Sequence, residues 1–211
     1  MEWLKVLFVG YLLGSIPFGY LAGKLYKLDI RNYGSGNIGF TNVMRVIGFG
    51  PAAFVLFFDA LKGYISTWYG FNIGSESLAV LGALAAMVGH NWPFTLKFKG
   101  GRGVATGFGI ILFMTFKITF LAVLIWFIVV ILTRYVSLGS ITAAFFVPIA
   151  MYLFDKPQPY IIFAFTGASI VIIRHWANIK RLMQGNENKI GNKINLQREE
   201  EDERNRDFRC R

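Results

Sequence analysis

From Trp3 to Trp176 the chain is a succession of apolar runs broken by short polar punctuation. The runs cover roughly residues 3–23, 51–70, 76–96, 104–116, 118–133, 138–154 and 160–176. Several reach the ~20 apolar residues that a helix needs to cross a bilayer at ~1.5 Å per residue. The pattern predicts an all-α integral membrane protein with about seven transmembrane helices and short amphipathic or re-entrant cytoplasmic loops. Counts of six or eight also fit. The fourth run is too short to cross alone, so it is expected to tilt or to begin deep in the bundle, with Lys117 separating it from the fifth. The first run lacks a basic leader, because Glu2 and Lys5 cancel, and no small-x-small site closes it. It therefore reads as a span rather than a cleaved signal.

Composition agrees with a membrane protein: 55% of residues are hydrophobic and 16% charged, against about 25% charged in a soluble domain. The net charge of +10 sharpens the picture, because it is unevenly spread. From residue 185 onward seven basic residues face seven acidic ones, so the excess comes from the membrane part, with fifteen against five. Connections after runs one, three and five, with residues 174–181, hold eleven Lys and Arg, whereas Lys5, Lys117 and Lys156 lie on the other side. By the positive-inside rule the N-terminus is outside and the basic loops and C-terminus are cytoplasmic. Residues 1–183 are expected to form one membrane domain. Residues 184–211 read as a charged cytoplasmic tail, a solvated helix or disordered.

Two of the basic loops share a composition. NYGSGNIGFTNVMR, residues 32–45, carries Gly34, Gly36, Ser35, Asn37, Thr41, Asn42 and Arg45. KFKGGRGVATG, residues 97–107, carries Lys99, Gly100, Gly101, Arg102 and Gly103 just before an apolar run. Glycines let backbone N–H groups converge on an anion, a helix N-terminus adds to the attraction, and an arginine offers a bidentate fork. The expected ligand is a phosphate, or two. IIRHWANIKRLMQGNE, residues 172–187, adds His175 and Asn178 on one helix face, and RYVSLGSI, residues 134–141, adds Ser140. Any single lysine here is better read as a topology signal, and glycines often serve only close helix packing. Neither explanation covers two loops that combine glycine, hydroxyl, amide and arginine on one face.

Other chemistries are poorly supported. A lone cysteine, Cys210, cannot form an intramolecular disulfide, and two histidines with few acids supply no structural zinc or two-metal set. GSGN is not a G-x-S-x-G elbow. The residue that would close an H-x4-D pair is Thr95 after His90 and Lys180 after His175. His90 reads as a packing or hydrogen-bonding residue. Asp59 and Lys62, three apart, read as a neutralising pair facing the bundle. An organic-phosphate transporter or channel is the alternative from another class, and a lipid-binding scaffold is a third.

The ordered motifs GSGNIGFTNVMR, GHNWPFTLKFKGGRGVATG, RYVSLGSI and RHWANIKRLMQGNE resemble the bacterial acyl-phosphate:glycerol-3-phosphate acyltransferases over about residues 8–190. The resemblance implies transfer of a fatty acyl group from acyl phosphate to the sn-1 hydroxyl of glycerol 3-phosphate in the inner membrane. Lysophosphatidate and phosphate are the products, in the first step of phospholipid synthesis. It implies no cofactor, metal or nucleic acid, a setting among membrane lipids, and a soluble phosphate acyltransferase as supplier. It carries the site onto Ser35, Arg45, Arg102, Ser140, His175 and Asn178, with Asn37, Thr41 and Asn42 shaping the loop. Arg102 stands where the family usually has lysine, so a planar fork replaces a point charge.

Overall fold

The first apolar run does not form one straight helix, and a proline is the reason. In the computed structural model, which describes residues 1–191, α1 (Glu2–Gly14) stops before Ser15 and α2 (Phe18–Leu25) starts after Pro17. Proline has no N–H to donate and its ring clashes with a preceding helical turn. The break turns backbone carbonyls toward partners elsewhere: Thr95 Oγ1 donates to the Ser15 carbonyl and Lys62 Nζ to that of Ile16, each at 2.9 Å.

The chain continues through α3 (Phe40–Val46), α4 (Phe49–Ile73), α5 (Glu76–Asn91), α6 (Val104–Met114), α7 (Phe116–Thr133), α8 (Val136–Leu153), α9 (Gln158–Arg174) and α10 (Trp176–Met183). Short 3₁₀ turns lie at Ile30–Asn32 and Phe94–Leu96, and no strand occurs among the described residues. Segments Glu2–Leu25, Phe116–Thr133 and Val136–Leu153 are each long and apolar enough to cross a membrane; α9 with α10 qualifies jointly but bends by 56°.

Several boundaries differ from the apolar pattern for local reasons. α5 ends at Asn91 rather than near residue 96, because Pro93 comes next but one and the chain turns. α6 has 11 residues, and the break after it falls at Thr115. Lys117 lies instead in the first turn of α7, with Nζ 4.2 Å from the centre of the Phe154 ring. α9 stops at Arg174, which leaves His175 in the bend outside the span.

α5 packs against α1, α4 and α9, and α4 against α6. Lipid supplies little hydrophobic drive for helix association, so close backbone approach matters. A methyl at Gly14 would collide with the backbone of Ala86, and one at Gly109 with the Ala60 carbonyl. Large side chains such as Phe120, Phe127, Ile131 and Phe145 point outward on α7 and α8, as they should against lipid. Inside, Asp59 and Lys62 form the expected pair at 2.7 Å, both almost fully buried.

Candidate active site

The Asn42 side chain ties together the loop of residues 32–39. Asn42 is buried at the start of α3. Its Oδ1 accepts from the Ser35 N–H at 2.9 Å, while Nδ2 donates to the carbonyls of Ile30 at 3.2 Å and Tyr33 at 3.0 Å. Its amide is thus engaged by the protein itself. Gly34 and Gly36 have φ of +63° and +66°, a region costly for any residue with a Cβ. The Gly36 N–H donates to the Tyr33 carbonyl at 3.1 Å.

The second loop is clamped from two sides. The N–H of Gly100 donates to the Asn91 carbonyl at 3.2 Å and that of Gly101 to the His90 carbonyl at 3.0 Å. Neither N–H is therefore a free anion donor, contrary to the expectation from composition. Arg174 closes the other side, donating from Nε to the Gly101 carbonyl at 3.0 Å and from Nη2 to the Gly100 carbonyl at 3.1 Å. A methyl on Gly101 would run into the His90 ring. The two glycines are needed for this close approach. It delivers Arg102 to the start of α6, which Gly103 caps at φ +82°.

The third element includes the tail that composition had assigned to solvent. Glu187 folds back so that its side chain is 5% exposed. Its carboxylate accepts from Asn178 Nδ2 at 2.6 Å, Arg181 Nε at 2.7 Å and Ser137 Oγ at 2.8 Å. Burial alone would raise its pKa, but these hydrogen bonds outweigh it and hold the carboxyl below its ordinary value. Arg45 Nη2 donates to the Asn188 carbonyl at 3.0 Å, and the Ile190 N–H donates to the Arg134 carbonyl at 2.8 Å. Residues 186–190 thus form a strap across the loops. The rest of the expected tail, Cys210 included, lies outside the described residues.

Between these loops and α6–α9 lies a cavity of about 390 Å³. Its polar end is lined by Asn37, Thr41, Arg102, Gly103, Ser140 and His175, six of the residues expected from sequence. The Arg102 guanidinium makes no hydrogen bond or ion pair with a described residue, and burial pushes its pKa down to about 10. Burial, followed by the nearby Arg102 charge, pushes His175 down to about 4, so its ring is neutral at pH 7. His175 Nδ1 lies 2.8 Å from the Val171 carbonyl and donates to it, which leaves Nε2 as an acceptor. Ser140 Oγ donates to the Val136 carbonyl at 2.9 Å and accepts from Trp126 Nε1 at 3.3 Å.

Ser35, Arg45, Asn178, Gly34, Gly36 and Asn42 lie behind this wall rather than on it, and Gly100 and Gly101 support it. Lys99 is exposed and away from the cavity. Arg45 Nε and Asn178 Oδ1 are buried without a partner among the described residues. Burial lowers the pKa of Arg45 as well. Asp59 and His90 also reach the cavity wall, with His90 Nδ1 3.5 Å from Asp59 Oδ1. Sequence reasoning gave the site neither of these, nor Glu187 and Trp126. Glu187 had one usable signal, the Gly185 that reverses the chain after α10 at φ +72°. The remainder of the cavity, between α6, α7, α8 and α9, is apolar.

A helical membrane bundle with a cationic pocket opening into an apolar shaft is built to bring an anionic group and a lipid tail together. The family model described as glycerol-3-phosphate acyltransferase matches residues 4–185, and the chain belongs to that family. It is 50% identical over 190 residues to glycerol-3-phosphate acyltransferase 2 of Moorella thermoacetica, covering 90% of this chain and 98% of that one. It is 44% identical over 200 residues to the glycerol-3-phosphate acyltransferase of Gloeobacter violaceus, with the same coverage. Among solved structures it is similar to the glycerol 3-phosphate form of PlsY, an integral membrane glycerol 3-phosphate acyltransferase. The TM-score there is 0.86 at 36% identity, over 90% of this chain and 96% of that one. The lysophosphatidic acid form of PlsY matches with a TM-score of 0.84 at 35% identity, over 91% and 97%.

Proposed function

We propose that this chain transfers a fatty acyl group from acyl phosphate to the sn-1 hydroxyl of glycerol 3-phosphate, releasing lysophosphatidate and inorganic phosphate. The observation that carries the reading is the unpaired Arg102 guanidinium on a cavity whose other end is apolar. An anion held by Arg102 has its tail directed between the helices. Names and bound forms of the relatives, glycerol 3-phosphate and lysophosphatidic acid, support the acceptor and the product. The phosphate donor rests on the motif resemblance.

In this reading the glycerol hydroxyl oxygen attacks the acyl carbon, the carbon–oxygen bond to phosphate breaks, and phosphate leaves with the bonding pair. The hydroxyl proton passes to a substrate phosphate oxygen, or to His175 Nε2. Arg102 stabilises phosphate at the cavity wall, Arg45 adds positive charge from behind it, and holding both substrates in one pocket supplies proximity. Ser35 lies off the cavity wall, which supports a direct transfer; a trapped acyl-enzyme on Ser35 would overturn it.

The same proposal has seven spans in a bacterial inner membrane, a cytoplasmic site and C-terminus, and residues 184–211 as an appendage of the 1–183 domain. Its donor is supplied by a soluble phosphate acyltransferase. A transporter for organic phosphates would need a path through the far side. Tyr160, Met114, Ile118 and Met151, all buried in the α6–α9 core, favour the enzyme.

The test is turnover. Purified protein in detergent is mixed with glycerol 3-phosphate and palmitoyl phosphate, with palmitoyl-CoA as the comparison donor. Phosphate release and lysophosphatidate by mass spectrometry are expected from acyl phosphate alone. Uptake of glycerol phosphate into proteoliposomes without product would favour the transporter.

A further inference from the structure

On α9 the apolar part of the cavity ends at Phe163, while the lining on α6, α7 and α8 reaches Ile111, Ala122 and Val147. α9 enters the cavity lining at Phe163 and leaves it at His175. The Phe163 ring does not hang downward. A methyl on Gly167 would lie 3.3 Å from Phe163 Cζ and 3.6 Å from Met87 Sδ, so the ring reaches up one turn and lies under Gly167. Gly167 is eight residues before His175, which places the top of the ring about 12 Å below the histidine. Two other walls bracket this depth: the lining runs from Val104 to Ile111 on α6 and from Val136 to Val147 on α8, about 10 Å and about 16 Å. Beneath the ring the bundle is filled by Met114, Ile118, Met151 and Tyr160. Above it the wall carries the small residues Gly107, Ala143, Ala144 and Ala168 beside the larger Phe108, Trp126 and Val171.

We propose that this shaft receives the tail of the acyl donor and that the Phe163 ring is the stop that reads tail length. The inference rests on the acyltransfer reading above. An extended tail advances roughly 1.3 Å per carbon, the projection of a ~1.52 Å carbon–carbon bond, so a depth of about 12 Å takes about nine carbons. Longer tails must turn at the ring and leave between the helices. Because the tail passes from one apolar medium into another, burial itself discriminates little. Selection arises from collision with a closed wall, where one excess methylene is worth roughly tenfold or more in specificity. Trimming Phe163 to valine withdraws the stop by up to one helical turn, about 5.4 Å or about four carbons.

The experiment compares octanoyl, decanoyl, lauroyl, myristoyl, palmitoyl and stearoyl phosphates on the full-length protein in detergent. Phe163→Val opens the floor, and Ala144→Phe fills the shaft from α8 above it. Melting temperature in detergent shows that each variant is folded. The palmitoyl-to-lauroyl ratio of kcat/KM is expected to rise roughly tenfold in Phe163→Val and to fall in Ala144→Phe. Folded variants with an unchanged chain-length profile would overturn the proposal and put the tail against the bilayer instead. A wild-type protein that turns over no acyl phosphate of any length would fail the underlying acyltransfer reading, a distinguishable result.

Discussion

Replacing Arg102 with alanine separates a residue kept for a ligand from one kept for the fold. Its guanidinium is largely buried, lines the cavity and has no partner among the described residues. Burial lowers its pKa from the ordinary guanidinium range to about 10. At ~1.36 kcal/mol per pH unit, that corresponds to an unfavourable burial of at most on the order of 3 kcal/mol. Removing the side chain relieves this cost, so the melting temperature of Arg102→Ala should stay level or rise. The reaction should respond in the opposite direction. A hydrogen bond between a charged donor and a phosphate is worth about 1.5–3 kcal/mol, or roughly 10- to 150-fold in kcat/KM. Arg102→Lys keeps the charge and loses the fork, so it should fall between wild type and alanine. The assays are phosphate release across glycerol 3-phosphate concentrations and thermal unfolding in detergent. An alanine variant that unfolds earlier while turning over at near wild-type kcat/KM would refute the reasoning, because Arg102 would then be a structural residue.

The contacts that surround the pocket give three further expected outcomes. Glu187→Gln removes the charge bound by Asn178, Arg181 and Ser137, so hydrogen exchange at residues 186–190 should quicken. Because the folded-state pKa of Glu187 lies below its ordinary 4.5, its contribution is complete above that value and lost as pH falls through the lower one. Wild type should therefore lose melting temperature more steeply below about pH 4.5 than Glu187→Gln; parallel acid slopes would dismiss the strap. Gly101→Ala forces a methyl into the His90 ring, at a cost of typically 1–3 kcal/mol, and should raise the KM for glycerol 3-phosphate in inserted protein. An unchanged KM would mean that the loop absorbs the methyl without moving Arg102. Asp59→Asn leaves Lys62 buried without its counter-charge, a loss of about 3–5 kcal/mol that the double change Asp59→Leu with Lys62→Met should largely restore. A single variant as stable as wild type would show that the pair is dispensable.

What the sequence made legible was local, and what it hid was assembled across the bundle. Gly34, Gly36 and Gly103 adopt positive φ, and Arg102, His175 and Ser140 each sit in a short motif, so their chemistry could be read from neighbours along the chain. The apolar shaft offers no such signal. Its lining residues are scattered over four helices whose sequences are apolar on every face, so no periodicity distinguishes a cavity wall from a lipid face. The Gly-Gly pair misled in the opposite way: glycine frees a backbone N–H sterically, but here the carbonyls of His90 and Asn91 take both. Glu187 was hidden by its company, a run of polar residues whose composition predicts solvent. Its single carboxylate reaches Ser137, Asn178 and Arg181 because Gly185 turns the chain back over the loops. That turn has a mechanistic consequence. The strap supplies an anion beside Arg102, the cation proposed to hold phosphate, and Arg45 behind it, and Glu187 is the leading charge that steadies both against burial. A cationic pocket that must stand in a membrane protein before its substrate arrives needs such a counter-charge nearby. It must be close enough to limit the desolvation cost, and bound tightly enough by Asn178 and Arg181 not to occupy the pocket itself.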